Sequence, residues 1–359
     1  MISYILSFYF VCIFALLHEI KLFHLDNKNT NYYKIFFIIF LSIYIGLRDN
    51  VGGDWGTYYQ NYFYYKLNIG TIDFLREYMI NRDPLFHLIN FIVIKIYPSY
   101  YLVNFICAFI FSYCLIYFCF SLPRPFLGIL IAIPYLITVV AMGYHRQALA
   151  VSFFMVGLVQ LEKSKYTNYY ISIFIATCFH FTSVFLLLFG IFSAHKFKFT
   201  HLFLFLILVL IFCYFVIGRE TISALLNFYI FQSYSSAGAV LRILICALAS
   251  IIFLTYKDHN LFYFKNIQLY KNLSYFSLIL FLLCLLLPSM STVIDRLAIY
   301  LIPFQIIIFT SFINLFSKKN YSSFIIFSLI VIGYFSILII WLYFGVHSLW
   351  WHPYSNLLF

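Results

Sequence analysis

An all-helical, polytopic integral membrane protein is the fold class this sequence predicts, on three observations: its composition, its recurring apolar runs and the segregation of its lysines. Of 359 residues, 65% are hydrophobic and only 9% are charged, against about 25% charged in water-soluble domains. Apolar runs of roughly 16 to 25 residues recur along the chain, each near the length that crosses a hydrocarbon core of about 30 Å. No interval between them would hold a soluble domain, so residues 1–359 are expected to form a single polytopic membrane domain. The expected architecture is about ten full transmembrane helices plus a broken helical hairpin and a short re-entrant or interfacial helix.

The first apolar run, Ile2 to Leu17, lacks a basic leader and a small-residue cleavage site, so it reads as a retained span. All eight cysteines fall inside apolar runs with no ligand-like pairing to His or acids, and read as small hydrophobes.

Orientation follows from the positive charges, since short cytoplasmic loops retain Lys and Arg. Loops carrying Lys28 and Lys34, Arg124, Lys163 and Lys165, Lys196 and Lys198, Lys257 to Lys271, and Lys318 and Lys319 are assigned to the cytoplasm, which puts both chain ends outside. Parity then requires that the apolar stretch from Pro84 to Tyr97 stay on the outer side. It also requires that Asn168 to Ala194 go out and back as two short helices meeting near His180. Such a break is tolerated at membrane depth only where protein or a wet cavity covers the loose backbone.

With this topology twelve of fourteen lysines lie inside, while seven of eight arginines (Arg48, Arg76, Arg82, Arg146, Arg219, Arg242, Arg296) lie outside or in helix ends facing outward. A planar guanidinium grips phosphate or carboxylate through paired hydrogen bonds, which a fixed cytoplasmic charge has no need to do. The pattern points to an anionic ligand outside. The alternative is pairing with the outer acids Asp49, Asp54, Asp73, Glu77, Asp83, Glu220 and Asp295. That alternative fits poorly where Arg and His sit against apolar helix, because an ionised group at membrane depth costs about 2.5 kcal/mol or more.

Five outward stretches hold the chemistry. In the first, Arg48 precedes a Gly52-Gly53 turn that presents Asp54, Trp55 and Tyr58; Asp54 could equally cap the helix that follows. In the second, Asp83 before Pro84 reads as an N-cap. In the third, Arg146 and Gln147 open a helix after a Gly143-Tyr144-His145 break. A cation there opposes the helix dipole unless an anion shares the site. The fourth is His180 at the hairpin break, and the fifth runs from Ser289 through Asp295 and Arg296 to Tyr300, the last two on one helical face. Outer aromatics, Trp350 and Trp351 among them, read mainly as interface anchors. The acids and histidines form no metal-ligand cluster at helical spacing, so no metal and no cofactor are expected.

In their order these stretches resemble the EpsG family of bacterial exopolysaccharide and O-antigen (Wzy-type) polymerases: Arg48 with Val51-Gly52-x-Asp54-x-x-x-Tyr58, the acid Asp83 before an amphipathic helix, Arg146-Gln147-x-x-Ala150, the His180 hairpin, and Arg296 with Tyr300. The resemblance implies an integral-membrane glycosyltransferase of GT-C type in the bacterial inner membrane, with its active site facing the periplasm or outside. Its donor and acceptor would be oligosaccharide repeat units on undecaprenyl pyrophosphate, with membrane lipid around it, a chain-length regulator as a candidate protein partner and no nucleic acid.

The chemistry agrees: a leaving pyrophosphate needs cations, and the attacking hydroxyl needs a proton acceptor. Arg48, Arg82, Arg146 and Arg296, with Tyr58, Gln147 and Tyr300, are the expected pyrophosphate-binding residues. Asp54, Asp83, His180 and Asp295 remain open as the catalytic base. A flippase for the same lipid-linked sugar is the rival from another class, but transporters place ionisable groups between repeated halves and no half-to-half repeat is present. An O-antigen ligase differs only in its acceptor.

Overall fold

The computed structural model describes residues 1–22, 25–68, 83–193, 236, 238–256, 266–316 and 320–358. Among these the chain is helical, with no strands and one isolated bridge between Arg48 and Asn356. Among the described residues five helical stretches are long and apolar enough to cross a membrane: Ile2–Glu19, Tyr100–Cys119, Ile267–Leu286, Pro288–Phe316 and Ser322–Phe344.

In chain order the helices are α1 (Ile2–Glu19), α2 (Asn27–Gly46), α3 (Trp55–Asn68), α4 (Pro84–Ile96), α5 (Tyr100–Cys119), α6 (Pro125–Ala132), α7 (His145–Glu162), α8 (Tyr166–Phe179) and α9 (Leu187–Ser193). They continue as α10 (Ala239–Thr255), α11 (Ile267–Leu286), α12 (Ser291–Ala298), α13 (Ile302–Phe312) and α14 (Asn320–Phe344). The centre belongs to α6. An all-round apolar helix has no face to give water, and Phe126, Ile129, Leu130 and Ala132 are fully enclosed by protein. Pro134, with no N–H to give the i−4 ladder, marks the point where α6 widens into a π-helix, Ile133–Ala141. Thr138 Oγ1 returns a hydrogen bond to the Ile133 carbonyl at 2.7 Å inside that wider turn.

Around this centre α2 packs on α5, α7 on α8, and α10 on α11. Small residues permit the closest of these contacts; a Cβ on Gly157 in α7 would stand 3.0 Å from the Tyr169 ring of α8.

Both sequence expectations about irregular segments have counterparts. Pro84–Ile96 is a separate 13-residue helix. The hairpin is α8, an extended His180 (φ −157°, ψ 113°), a 3-10 turn Phe181–Leu186, and α9 packed back on α8. The two ends of α5 mark the two ends of the bundle. At its C-terminal end Lys34 lies over Phe120, Lys163 reaches the Tyr117 hydroxyl, and Arg124 pairs with Glu19 at 2.7 Å. At its N-terminal end Tyr100 and Tyr101 meet Trp55, and the Tyr101 hydroxyl donates to Asp49 at 2.8 Å. Arg82, like Arg76, Arg219 and Lys318, lies outside the described residues.

Candidate active site

Three chain breaks converge at the N-terminal end of α5. The loop 47–54 carries Asp54, and its turn requires glycine: Gly52 has φ +114°, and a Cβ there would stand 2.3 Å from the Met142 carbonyl oxygen. That contact joins it to the second break, 142–144, from which α7 begins with His145, Arg146 and Gln147. The third is the His180 hairpin, tied across to the 3-10 turn after α12 by a 3.0 Å bond between the Thr182 and Tyr300 hydroxyls.

Asp83 stands between these breaks. It occupies the N-cap position of α4, yet its carboxylate caps nothing, which corrects the capping expected from Asp83-Pro84. Its backbone is left-handed (φ 42°, ψ 56°), an uncommon conformation outside glycine that the surrounding contacts must hold in place. So held, Oδ2 accepts from Arg146 Nη1 at 2.7 Å and Oδ1 from the Phe181 amide at 3.3 Å, while His180 Nδ1 lies 3.9 Å from Oδ2, beyond hydrogen-bond reach. Burial pushes the Asp83 pKa up, but His180, Arg146 and the Phe181 amide outweigh it and hold this carboxyl below its ordinary range.

Arg146 also donates through Nε to the Tyr58 hydroxyl at 3.3 Å, and its side chain stays 36% exposed. On the next residue, Gln147 Nε2 donates to the Arg296 carbonyl at 2.7 Å and Oε1 accepts from Arg296 Nη1 at 3.2 Å. Arg296 is pressed on the Tyr144 ring, 4.0 Å from its centroid. Two cations from different elements are thus brought together, Arg146 on the first turn of α7 and Arg296 held by the next residue of that turn, each against a tyrosine.

Asp54 lies within the fields of both. Among the described residues its carboxylate makes no hydrogen bond; burial raises its pKa, and Arg296 and then Arg146 oppose the rise. Of the three carboxylates expected as bases, Asp54 is the one with no hydrogen bond among the described residues, Asp83 and Asp295 both being held by arginine.

The other candidates are differently occupied. Arg48 is fully buried, donating through Nε to the Val51 carbonyl (3.0 Å), through Nη1 to the Ile45 carbonyl, and through Nη2 to the Met142 carbonyl (2.8 Å) and His145 Nε2 (2.7 Å). Because a guanidinium only donates, His145 Nε2 must be the unprotonated nitrogen. The geometry makes Arg48 a tie between loop 47–54 and the start of α7, not a group facing a ligand. Asp295 is gripped by Arg242, with Nε to Oδ1 at 2.9 Å and Nη2 to Oδ2 at 2.6 Å, and it also accepts from the Ser236 hydroxyl. Tyr300 is buried beside the hairpin.

The sequence matches the EpsG family over residues 31–356. This chain belongs to the EpsG family. Membership supports, in broad terms, a polysaccharide-polymerase-like function. No curated protein and no solved structure matches the chain.

Next to the convergence point this EpsG-family chain has a cavity of about 630 Å³, within the span of about 300–1,000 Å³ usual for ligand sites. Tyr144, Arg296, Arg242, Asp295, Tyr135 and Trp351 line its polar part, and aliphatic side chains of α10, α13 and α14 line the rest. Sequence reasoning gave neither Arg242 nor Trp351 a place in the site. Arg242 lies over the Tyr135 ring, 5.2 Å from its centroid, and only the fold brings it to Asp295. Trp351, read as an interface anchor, is buried. Among the described residues no three His, Cys, Asp or Glu side chains are grouped as metal ligands.

Proposed function

We propose that this protein is a bacterial polysaccharide polymerase, joining repeat units carried on undecaprenyl pyrophosphate at the outer face of the inner membrane. On this reading it is a GT-C-like glycosyltransferase of about ten spans. The acceptor's sugar hydroxyl attacks the anomeric carbon of the donor, and the bond from that carbon to the pyrophosphate oxygen breaks. The lipid pyrophosphate leaves with the electron pair. Asp54 takes the hydroxyl proton, and Arg146 and Arg296 stabilise the charge on the leaving group. Each charge-assisted bond contributes about 1.5–3 kcal/mol, and about 1.4 kcal/mol is a decade in rate, so two such bonds supply several decades without a metal ion.

The observation that carries the reading is Asp54, without a hydrogen-bonded partner among the described residues, lying in the fields of Arg146, held by Asp83, and Arg296, held by Gln147. Asp83 supports it as the counter-charge that orients Arg146 and, held low, is the poorer base. The cavity beside Arg296 supports it with room for a lipid-linked anion.

Deletion of the gene tests it through the surface polysaccharide. Loss of the long-chain ladder with one repeat unit remaining is the expected result. Repeats trapped on the inner leaflet would make the protein a flippase, and lipid-linked polymer that never reaches its anchor would make it a ligase.

A further inference from the structure

After α14 the chain turns at Ser348–Trp351 and runs back along loop 47–54. The Gly52 amide donates to the Trp350 carbonyl (2.9 Å), the Asp49 amide to the Ser355 carbonyl (3.0 Å) and the Leu357 amide to the Leu47 carbonyl (2.9 Å). The Tyr354 hydroxyl donates to the Tyr44 carbonyl (2.6 Å). In the middle of this strap Trp351 points inward, 1% exposed. Its indole Nε1 donates to the Thr138 carbonyl of the π-helix at 2.7 Å, and its own carbonyl accepts from the Tyr4 hydroxyl at 2.9 Å. Trp341 meets the ring edge-on at 4.9 Å.

The indole touches both loops of the site. A Cβ on Gly143 would lie 3.0 Å from its Cζ2, and a Cβ on Gly53 would lie 3.6 Å from its Cη2 and Cζ3. Gly53 is the residue before Asp54; Gly143 is the residue before Tyr144, on which Arg296 rests, and three before Arg146. A rigid aromatic plate anchored by a buried hydrogen bond therefore spaces the acid from the two cations. A side chain on Gly143 would push the plate or the loop aside, whereas one on Gly53 would meet the plate at ordinary contact distance.

We infer that Trp351 is a positioning residue for this site, setting the separation of Asp54 from Arg146 and Arg296 through its contacts with Gly53 and Gly143. This rests on the proposed role of Asp54 as base. The charged and titratable groups around Asp54 are Arg146, Arg296, Tyr58 and Tyr144. A looser loop admits water to Asp54, removing the burial that raises its pKa, and the acid limb of the rate profile moves to lower pH.

The test uses the full chain with Trp351→Phe, which keeps a ring but removes the N–H, and Gly143→Ala, whose new methyl displaces the indole. The first readout needs no activity: maleimide labelling of Val51→Cys, a buried position in the 47–54 loop, corrected for labelling of the parent chain. Labelling is expected to rise several-fold in both variants. The second readout is the initial rate against pH with lipid-linked repeat units, at matched protein amounts.

Misplacing a catalytic group by about 1 Å costs around a hundredfold in rate, so kcat is expected to fall ten- to hundredfold with KM nearly unchanged and the acid limb shifted down. Combining Gly143→Ala with Trp351→Phe is expected to recover part of the loss, because the smaller ring makes room for the methyl. Unchanged labelling, or a lower rate with an unshifted profile and no recovery in the double variant, overturns the inference. If the parent chain shows no polymerase activity, the proposed function fails, while the labelling still decides whether Trp351 holds the loop.

Discussion

Arg48 and Arg146 look alike in the sequence, and replacing each by lysine should separate them. Arg48 satisfies three backbone carbonyls and one imidazole nitrogen from the interior. A lysine ammonium donates from a single atom and cannot reach acceptors spread over Ile45, Val51 and Met142, so at least two are left without a partner. Each orphaned buried acceptor costs about 1–3 kcal/mol, and two cost about 2–6 kcal/mol against a total stability of about 5–15 kcal/mol. Arg146→Lys loses the Tyr58 bond, but its partly exposed head can still pair with Asp83, and the cost is below about 1 kcal/mol.

Arg48→Lys should therefore lower membrane abundance and the melting midpoint in detergent. Arg146→Lys should keep abundance and shorten the polymer ladder toward single repeats, because charge remains while the fork geometry is lost. Immunoblot, thermal unfolding followed by size-exclusion fluorescence and gel analysis of the polysaccharide measure all three. A stable, abundant Arg48→Lys protein with a shortened ladder would refute the assignment of Arg48 as an internal tie. A normal ladder from Arg146→Lys would remove Arg146 from the site.

Asp54→Asn should abolish polymer formation at normal abundance. In the parent, activity should fall on the acid side at a higher pH than for an ordinary carboxylate, since the raised pKa means that the base is protonated earlier; a profile flat to pH 4 would count against it. Asp83 has the opposite sign. Its folded pKa is depressed, so its contribution to stability is present above the unfolded carboxylate value near about 4 and is lost only as pH falls through the lower folded value. The melting midpoint of Asp83→Asn should thus sit below the parent's throughout pH 5 to 8, and the absence of any gap in that range would contradict the pairing. Purified protein should polymerise lipid-linked repeats in EDTA, and a requirement for added divalent ion would overturn charge stabilisation by arginine alone. Cysteine probes at Lys163 to Lys165 should be labelled from the cytoplasm and probes near Gly53 from outside; a reversed result would overturn the orientation drawn from lysine.

Helix class, the short helix after Asp83 and the break at His180 were legible because each is written locally: apolar run length, an Asp-Pro boundary, a polar residue in an apolar stretch. The gathering of Asp54, Asp83, Arg146, His180 and Arg296 was legible in part, since ionisable groups at helix breaks share one end of the bundle once the lysines are at the other. What each group does there was not. Arg48 looked like a ligand residue because the carbonyl at Met142 and the ring of His145 that absorb it lie almost a hundred positions away. Asp83 looked like a cap because nothing local says that its backbone turns left-handed. Asp295 looked available because Arg242 meets it only through the packing of α10 on α12. Trp351 looked like an interface anchor because its partner is a single carbonyl inside a π-helix that sequence periodicity does not reveal.

The hairpin at His180 has a consequence for how the protein is made. Its backbone is broken at the Phe181 amide, whose acceptor comes from Asp83, and its Thr182 hydroxyl is met by Tyr300. The first partner is synthesised about a hundred residues before the hairpin and the second about a hundred and twenty after it. In lipid the exposed groups of such a break have no water to turn to, so the segment gains nothing by inserting early and alone. The contacts that hold the break are complete only once Tyr300, in the turn after α12, has been made.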